Sequence, residues 1–142
     1  MDEPRPPVAG VEGESGQEAD AHAAPTPEAL LGAEPVALAT WARVSAAVST
    51  LDPVEVRVSR SQVALRRRRG FAYLWLPRRY LGARGAPVVV TVVLGRADGS
   101  PRWKEVAHPG PRDWVHHLEV TDPAQVDDEV ASWLHEAWER AG

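Results

Sequence analysis

The sequence predicts an α+β domain over residues 34–142: an antiparallel sheet of five or six strands, covered on one face by an N-terminal and a C-terminal helix. Two apolar stripes at helical spacing, one near each end, and a set of short β-like runs between them lead to that class. Each stripe needs an apolar surface to cover, and the runs supply one.

Residues 1–33 are expected to be a disordered acidic leader. They are rich in Pro, Gly, Ala and acids, and Val8, Val11, Leu30 and Leu31 offer too little burial to offset the entropy of ordering the segment. The first helix should start at Glu34-Pro35, since proline suits a first helical turn. Ala37, Trp41, Val44, Val48 and Leu51 then share one face, and Asp52-Pro53 ends the run.

Val54, Val56 and Val58 alternate with Glu55, Arg57 and Ser59, the pattern of a strand with one buried face. Strands are expected at Gln62–Arg67 and Phe71–Leu76, joined by a tight turn at Arg68-Arg69-Gly70. Pro77–Ala86 reads as a loop, and the β-branched run Pro87–Leu94 as the most buried strand. Ala97–Ser100 is expected to turn as a hairpin into a strand at Arg102–Ala107. A loop at His108–Asp113 and a last strand at Trp114–Val120 follow. Asp122, Pro123 and Gln125 have the spacing of a capping box at a helix start. Val126, Val130, Trp133, Leu134, Ala137, Trp138 and Ala141 fall on one face of that closing helix.

At 142 residues and 44% apolar content the chain has room for one core. It contains no cysteine, which excludes disulfides, zinc ribbons and thiol chemistry. No run approaches the roughly 20 apolar residues of a membrane span, and the acidic, proline-rich start is no secretion signal. A cytoplasmic protein without membrane contact is expected. The net charge of −4 hides a segregation: the leader is acidic, residues 52–104 hold twelve bases against three acids, and residues 105–142 nine acids against two bases. Part of the arginine content reflects GC-rich coding, since the chain has no Ile or Asn and a single lysine, Lys104.

Pro53–Val56, Ser61–Leu65, Phe71-Ala72, Val115–Leu118 and Asp127–Trp138, in that order, resemble a bacterial family, a domain of unknown function (DUF5655), over about residues 37–141. The likeness lies in the order of the pieces; Asp52 stands where a glycine often precedes Pro53, and Trp138 where tyrosine is common. It implies the fold and the domain limits. It implies no activity and no catalytic residue.

The basic segment carries the main functional signal. Arg57, Arg60, Arg66, Arg67, Arg68, Arg69, Arg78 and Arg79, with Arg84 beyond them, are interleaved with Phe71, Tyr73, Trp75 and Tyr80. Arginines can neutralise phosphates, and aromatics at alternate strand positions can stack on bases. The competing reading buries the aromatics and leaves the arginines as a solvated face, held against the acidic ends of the chain. In the first reading the leader competes intramolecularly for any anionic partner.

His116 and His117 are neighbours on a strand and point to opposite faces, so they cannot chelate one ion, and no metal site is expected. One should face the core and the other solvent or a cleft, with a carboxylate such as Glu119 or Asp113 as partner. Asp127-Asp128-Glu129 suits a first helical turn electrostatically. Serine-hydrolase elbows, phosphate-binding glycine loops and zinc-protease helices have no counterpart in the sequence.

The leading expectation is a non-enzymatic binding or accessory domain without a cofactor, its partner an anionic ligand such as nucleic acid, met by the arginine-rich segment. The first alternative is a small-molecule-binding or cryptic enzymatic domain with a pocket lined by Tyr73, Trp75, Trp114 and His117. The second is protein–protein association through an open sheet face.

Overall fold

The structure, a computed structural model, describes residues 25–142. Residues 1–24 of the expected leader lie outside the described residues. The remainder of that segment does not fit the expectation: α1 (Pro27–Leu31) forms there, with Thr26 Oγ1 accepting from the Ala29 N–H and proline in its first turn. Leu31 is fully buried in the main core, so the domain begins ahead of Glu34.

The chain continues as α2 (Pro35–Ala47), β1 (Glu55–Val58), β2 (Val63–Arg66), β3 (Gly70–Trp75), α3 (Arg78–Leu81), β4 (Val88–Leu94), β5 (Glu105–Gly110), β6 (Asp113–Val120) and α4 (Asp128–Arg140). The six strands make one antiparallel sheet in the order β1-β2-β3-β4-β6-β5. The α+β class is thus as read.

Alternate strand positions decide the core. Val63 and Leu65, Ala72 and Leu74, and Val88, Val90 and Val92 are buried in one cluster with Ala37, Trp41 and Val44 of α2 and Val130, Trp133 and Leu134 of α4. Each valine or leucine among them contributes roughly 1.5–3 kcal/mol on leaving water. Ala64, Tyr73, Val93 and Val115, at the intervening positions, form a second, smaller cluster. Phe71, expected to share a face with Tyr73 and Trp75, belongs to the main core instead.

Four local expectations are corrected. No hairpin forms at Ala97–Ser100: β4 pairs along its length with β6, and β5 lies outside β6 at the edge. The longer, more buried β6 takes the central place, while the largely exposed β5 tolerates an edge. The expected loop at His108–Asp113 is mostly strand; its Pro109 sits in a register irregularity, where a missing N–H costs no ladder bond. The Pro77–Ala86 loop contains α3 and a 3-10 turn at Gly82–Arg84. Val56 is 44% exposed, because β1 is the other edge and only Val54 and Val58 reach the core.

The capping box at Asp122 and Gln125 is present, but it caps a 3-10 turn, Pro123–Gln125. α4 has its own cap, the Asp127 carboxylate accepting from the Val130 N–H, with Asp128 and Glu129 in the first turn as read.

Gly70 sits where the register between β2 and β3 shifts. A Cβ there would run into the hydroxyl of Tyr73, whose ring is 2% exposed and has little room to move. Gly70→Ala is expected to cost about 1–3 kcal/mol, read as a lower urea midpoint. An unchanged midpoint would mean that the Tyr73 ring yields freely.

Candidate functional site

Several of the arginines have partners within the fold. Arg67 lies 3.8 Å over the Trp138 ring and donates to the Trp138 carbonyl, and Arg69 donates to the Arg140 carbonyl. The Arg68 backbone N–H reaches the Ala141 carbonyl. All three answer the open carbonyls at the end of α4, where cations also complement the helix dipole. Arg78 donates to the Gly85 carbonyl and pairs with Glu34 at 3.1 Å, while Arg79 donates to the carbonyl of the exposed Arg60. Arg57 pairs with Glu55 at 3.1 Å, and Arg66 approaches the same carboxylate at 3.9 Å. Four of the eight candidate side chains, those of Arg67, Arg69, Arg78 and Arg79, are therefore donors to backbone carbonyls.

The two neighbouring histidines separate as strand alternation requires. His116 is the inward one, with no exposure. Its Nε2 accepts from the Asp98 N–H at 3.0 Å, so its ring proton sits on Nδ1 and is donated to the Trp114 carbonyl at 3.0 Å. Trp103 packs on the ring at 4.8 Å and donates its indole N–H to Asp98. Asp98, read as a hairpin residue, thus ties the β4–β5 connection to the core. Burial above all holds the His116 pKa below 6.5, against its backbone hydrogen bonds and the Asp98 charge.

His117 is half-buried on the other side of the sheet. Its partner is neither Glu119 nor Asp113; the latter is taken by Arg140. Trp75 Nε1, which can only donate, gives its proton to Thr91 Oγ1 at 2.9 Å. The Thr91 hydroxyl, 1% exposed, lies 2.8 Å from His117 Nδ1 and has its own proton to donate to it. With Thr91 as donor the imidazole proton sits on Nε2, for which no partner occurs among the described residues.

Around this chain stand Trp75, edge-on to His117 at 6.0 Å, and Tyr80 of α3, edge-on to Trp75 at 6.2 Å. The register carries one row across the sheet from Arg57 through Ala64, Tyr73 and Thr91 to His117 and Glu105. Burial is the largest influence on the His117 pKa and keeps it low, with Glu105 opposing. Burial thus favours the uncharged ring.

Of the four residues expected to line a pocket, Trp75 and His117 meet, and Tyr73 lies beside Thr91 in the next strand, itself buried. Trp114 does not join them: three positions from His117 it has the opposite parity, and it stacks on His108 at 3.5 Å. Sequence reasoning missed Thr91 and Tyr80. Thr91 had a signal, as the one hydroxyl within the run Val88–Leu94.

Among the described residues no three His, Asp or Glu converge to hold a metal, and no helix is long and apolar enough to cross a membrane. No curated protein and no solved structure matches the chain. A family model does, and its start in α1 agrees with the burial of Leu31. Its description is a domain of unknown function, DUF5655, it spans residues 28–141, and the chain belongs to that family.

Proposed function

We propose that the domain is a non-enzymatic binding module whose ligand is held on the sheet face around His117 by donation from Nε2–H to an acceptor oxygen. The observation that carries this reading is the chain Trp75–Thr91–His117, in which Thr91, as donor to Nδ1, leaves the ring proton on the unpartnered Nε2. Orienting a histidine through its second nitrogen is how a protein prepares that ring for one partner. Trp75 and Tyr80 supply an aromatic flank.

Glu105, paired directly across from His117, sets the charge of the ligand. A phosphate or carboxylate beside it meets a like charge, so a neutral oxygen, such as an amide or ketone carbonyl, is favoured. One observation favours an anionic partner instead: Arg57 lies in the same cross-strand row, at the far edge.

The test is an NMR titration of the His117 ring signals with neutral carbonyl compounds, carboxylates, sugar phosphates and short DNA and RNA. The expected result is a shift of His117 with neutral carbonyl compounds that exposed His108 and His135 do not share, lost in His117→Ala. Binding by oligonucleotides alone, falling steeply with salt, would give the site to the anionic reading. No shift at His117 with any compound would overturn the binding site altogether.

A further inference from the structure

We propose that β1 is a self-recognition edge, through which two copies of the chain pair antiparallel over Val54–Val58, with Val56 opposite Val56 on a two-fold axis. Among the described residues the large apolar side chains left exposed are Val56 and Val106, and each lies on an edge strand. An edge presents backbone N–H and C=O groups that its own sheet does not pair, and proteins guard it with charge, proline or cover. β5 is guarded: Pro109 interrupts its register, and a second β5 centred on Val106 would set Glu105 against Ala107. β1 is different. Laid antiparallel on itself about Val56, the segment Val54-Glu55-Val56-Arg57-Val58 puts each Glu55 opposite an Arg57 and each Val54 opposite a Val58. Opposite charges and β-branched side chains directly across from one another are favourable strand pairs. The Glu55 and Arg57 side chains are 55% and 52% exposed, and their present contact along the strand is a surface pair of little worth.

The phase of the backbone agrees with this register. The Ser59 N–H donates to the Gln62 carbonyl at 2.9 Å, so Ser59–Gln62 is a hydrogen-bonded pair, and alternation makes Arg57–Ala64 the next. Val56 and Val58 fall at the intervening positions, where N–H and C=O point away from β2, and Val54 follows by the same alternation. Those are the groups the proposed pairing uses: Val56 exchanges both bonds with its copy, and Val54 exchanges both with Val58. The side chains agree as well. Val54 and Val58 already pack on the main core, and the half-buried Trp138 donates its indole N–H to the adjoining Pro53 carbonyl. The two-fold axis leaves the helices of both copies on the same side of one continuous sheet, so the facing valines carry the main core across the join. A ribbon this short makes a small interface, below the roughly 1,200 Å² of stable complexes, and the dimer is expected to dissociate on dilution.

The test is sedimentation equilibrium of the full chain from micromolar to millimolar concentration, with charge exchange across the pair. The wild type is expected to shift from monomer to dimer within that range. Arg57→Glu sets Glu against Glu twice, and Glu55→Arg sets Arg against Arg twice, so each alone is expected to associate about tenfold more weakly or less. Both positions are exposed, and the variants should melt as the wild type does. An equal mixture of the two restores every Glu–Arg pair and is expected to dimerise again, as is the double exchange of Glu55→Arg with Arg57→Glu in one chain. Val56→Pro, which removes an N–H that the β2 ladder does not use, breaks the dimer by a second route. A wild type that stays monomeric throughout, Arg57→Glu associating as tightly as the wild type, or a mixture no stronger than its components would overturn the inference. Loss of association in Val106→Glu, with Arg57→Glu unaffected, would overturn it in favour of the β5 edge.

Discussion

Replacing His116 with alanine is expected to lower the free energy of unfolding by about 3 kcal/mol, one of the largest effects of any single substitution in the sheet. The ring is fully buried, so its removal leaves a cavity beneath Trp103, which stacks in turn on Trp133 of α4 at 4.2 Å. It also strips the Asp98 N–H and the Trp114 carbonyl of their side-chain partner. Asp98 organises the connection beyond it by accepting from Arg96, Ser100 and Trp103, so the damage should spread through residues 95–104. Urea denaturation measures the loss; a change below about 1 kcal/mol would mean that the connection holds without the histidine.

The same residue sets a pH dependence. Its folded-state pKa lies below the ordinary 6.5, as does that of His117, in both cases chiefly through burial. The unfolded chain therefore binds protons more readily, and the stability tied to both groups is complete above about pH 6.5 and declines as pH falls below it. Asp98 and Asp127, whose pKa values are also lowered, add to the loss only at more acidic pH. His116→Ala should flatten the first part of this decline.

Thr91→Val is expected to cost about 1–3 kcal/mol although it nearly conserves volume. Thr91 is 1% exposed in the centre of β4, and its hydroxyl is the partner of the Trp75 indole N–H. Valine leaves that donor buried and unpaired. It also frees His117 Nδ1, so the variant should lose the single tautomer and with it the binding assigned to His117. A variant of wild-type stability with unchanged His117 signals would show that the hydroxyl does not join the two rings.

Much of this fold could be read from the sequence because burial writes itself as periodicity. The stripes of α2 and α4 and the unbroken run of β4 appear where expected. The pairing order could not be read so: β5 follows β4 in the chain, yet the longer and more buried β6 takes the place beside β4 and leaves the exposed β5 at the edge. The contacts of the arginines were hidden for a related reason. A sequence displays charge but not partners, and the partners of Arg67 and Arg69 are backbone carbonyls at the end of a helix some 70 residues away, at a separation of 71 in each case. Alternation put His116 and His117 on opposite faces, yet with Val115 and Leu118 on either side it gave no sign of which pointed inward. Thr91 stood out as the one hydroxyl in its run, but what it joins depends on the residues in the next strands.

The measurement closest to the centre of this account is the long-range proton–nitrogen correlation spectrum of the histidine rings at neutral pH. His117 is expected to be neutral with its proton on Nε2, and His116 neutral with its proton on Nδ1, two opposite tautomers on adjacent residues. A His117 ring that carries its proton on Nδ1, or that averages between the two forms like a solvent-exposed histidine, would contradict the Trp75–Thr91–His117 chain and the binding role built on it.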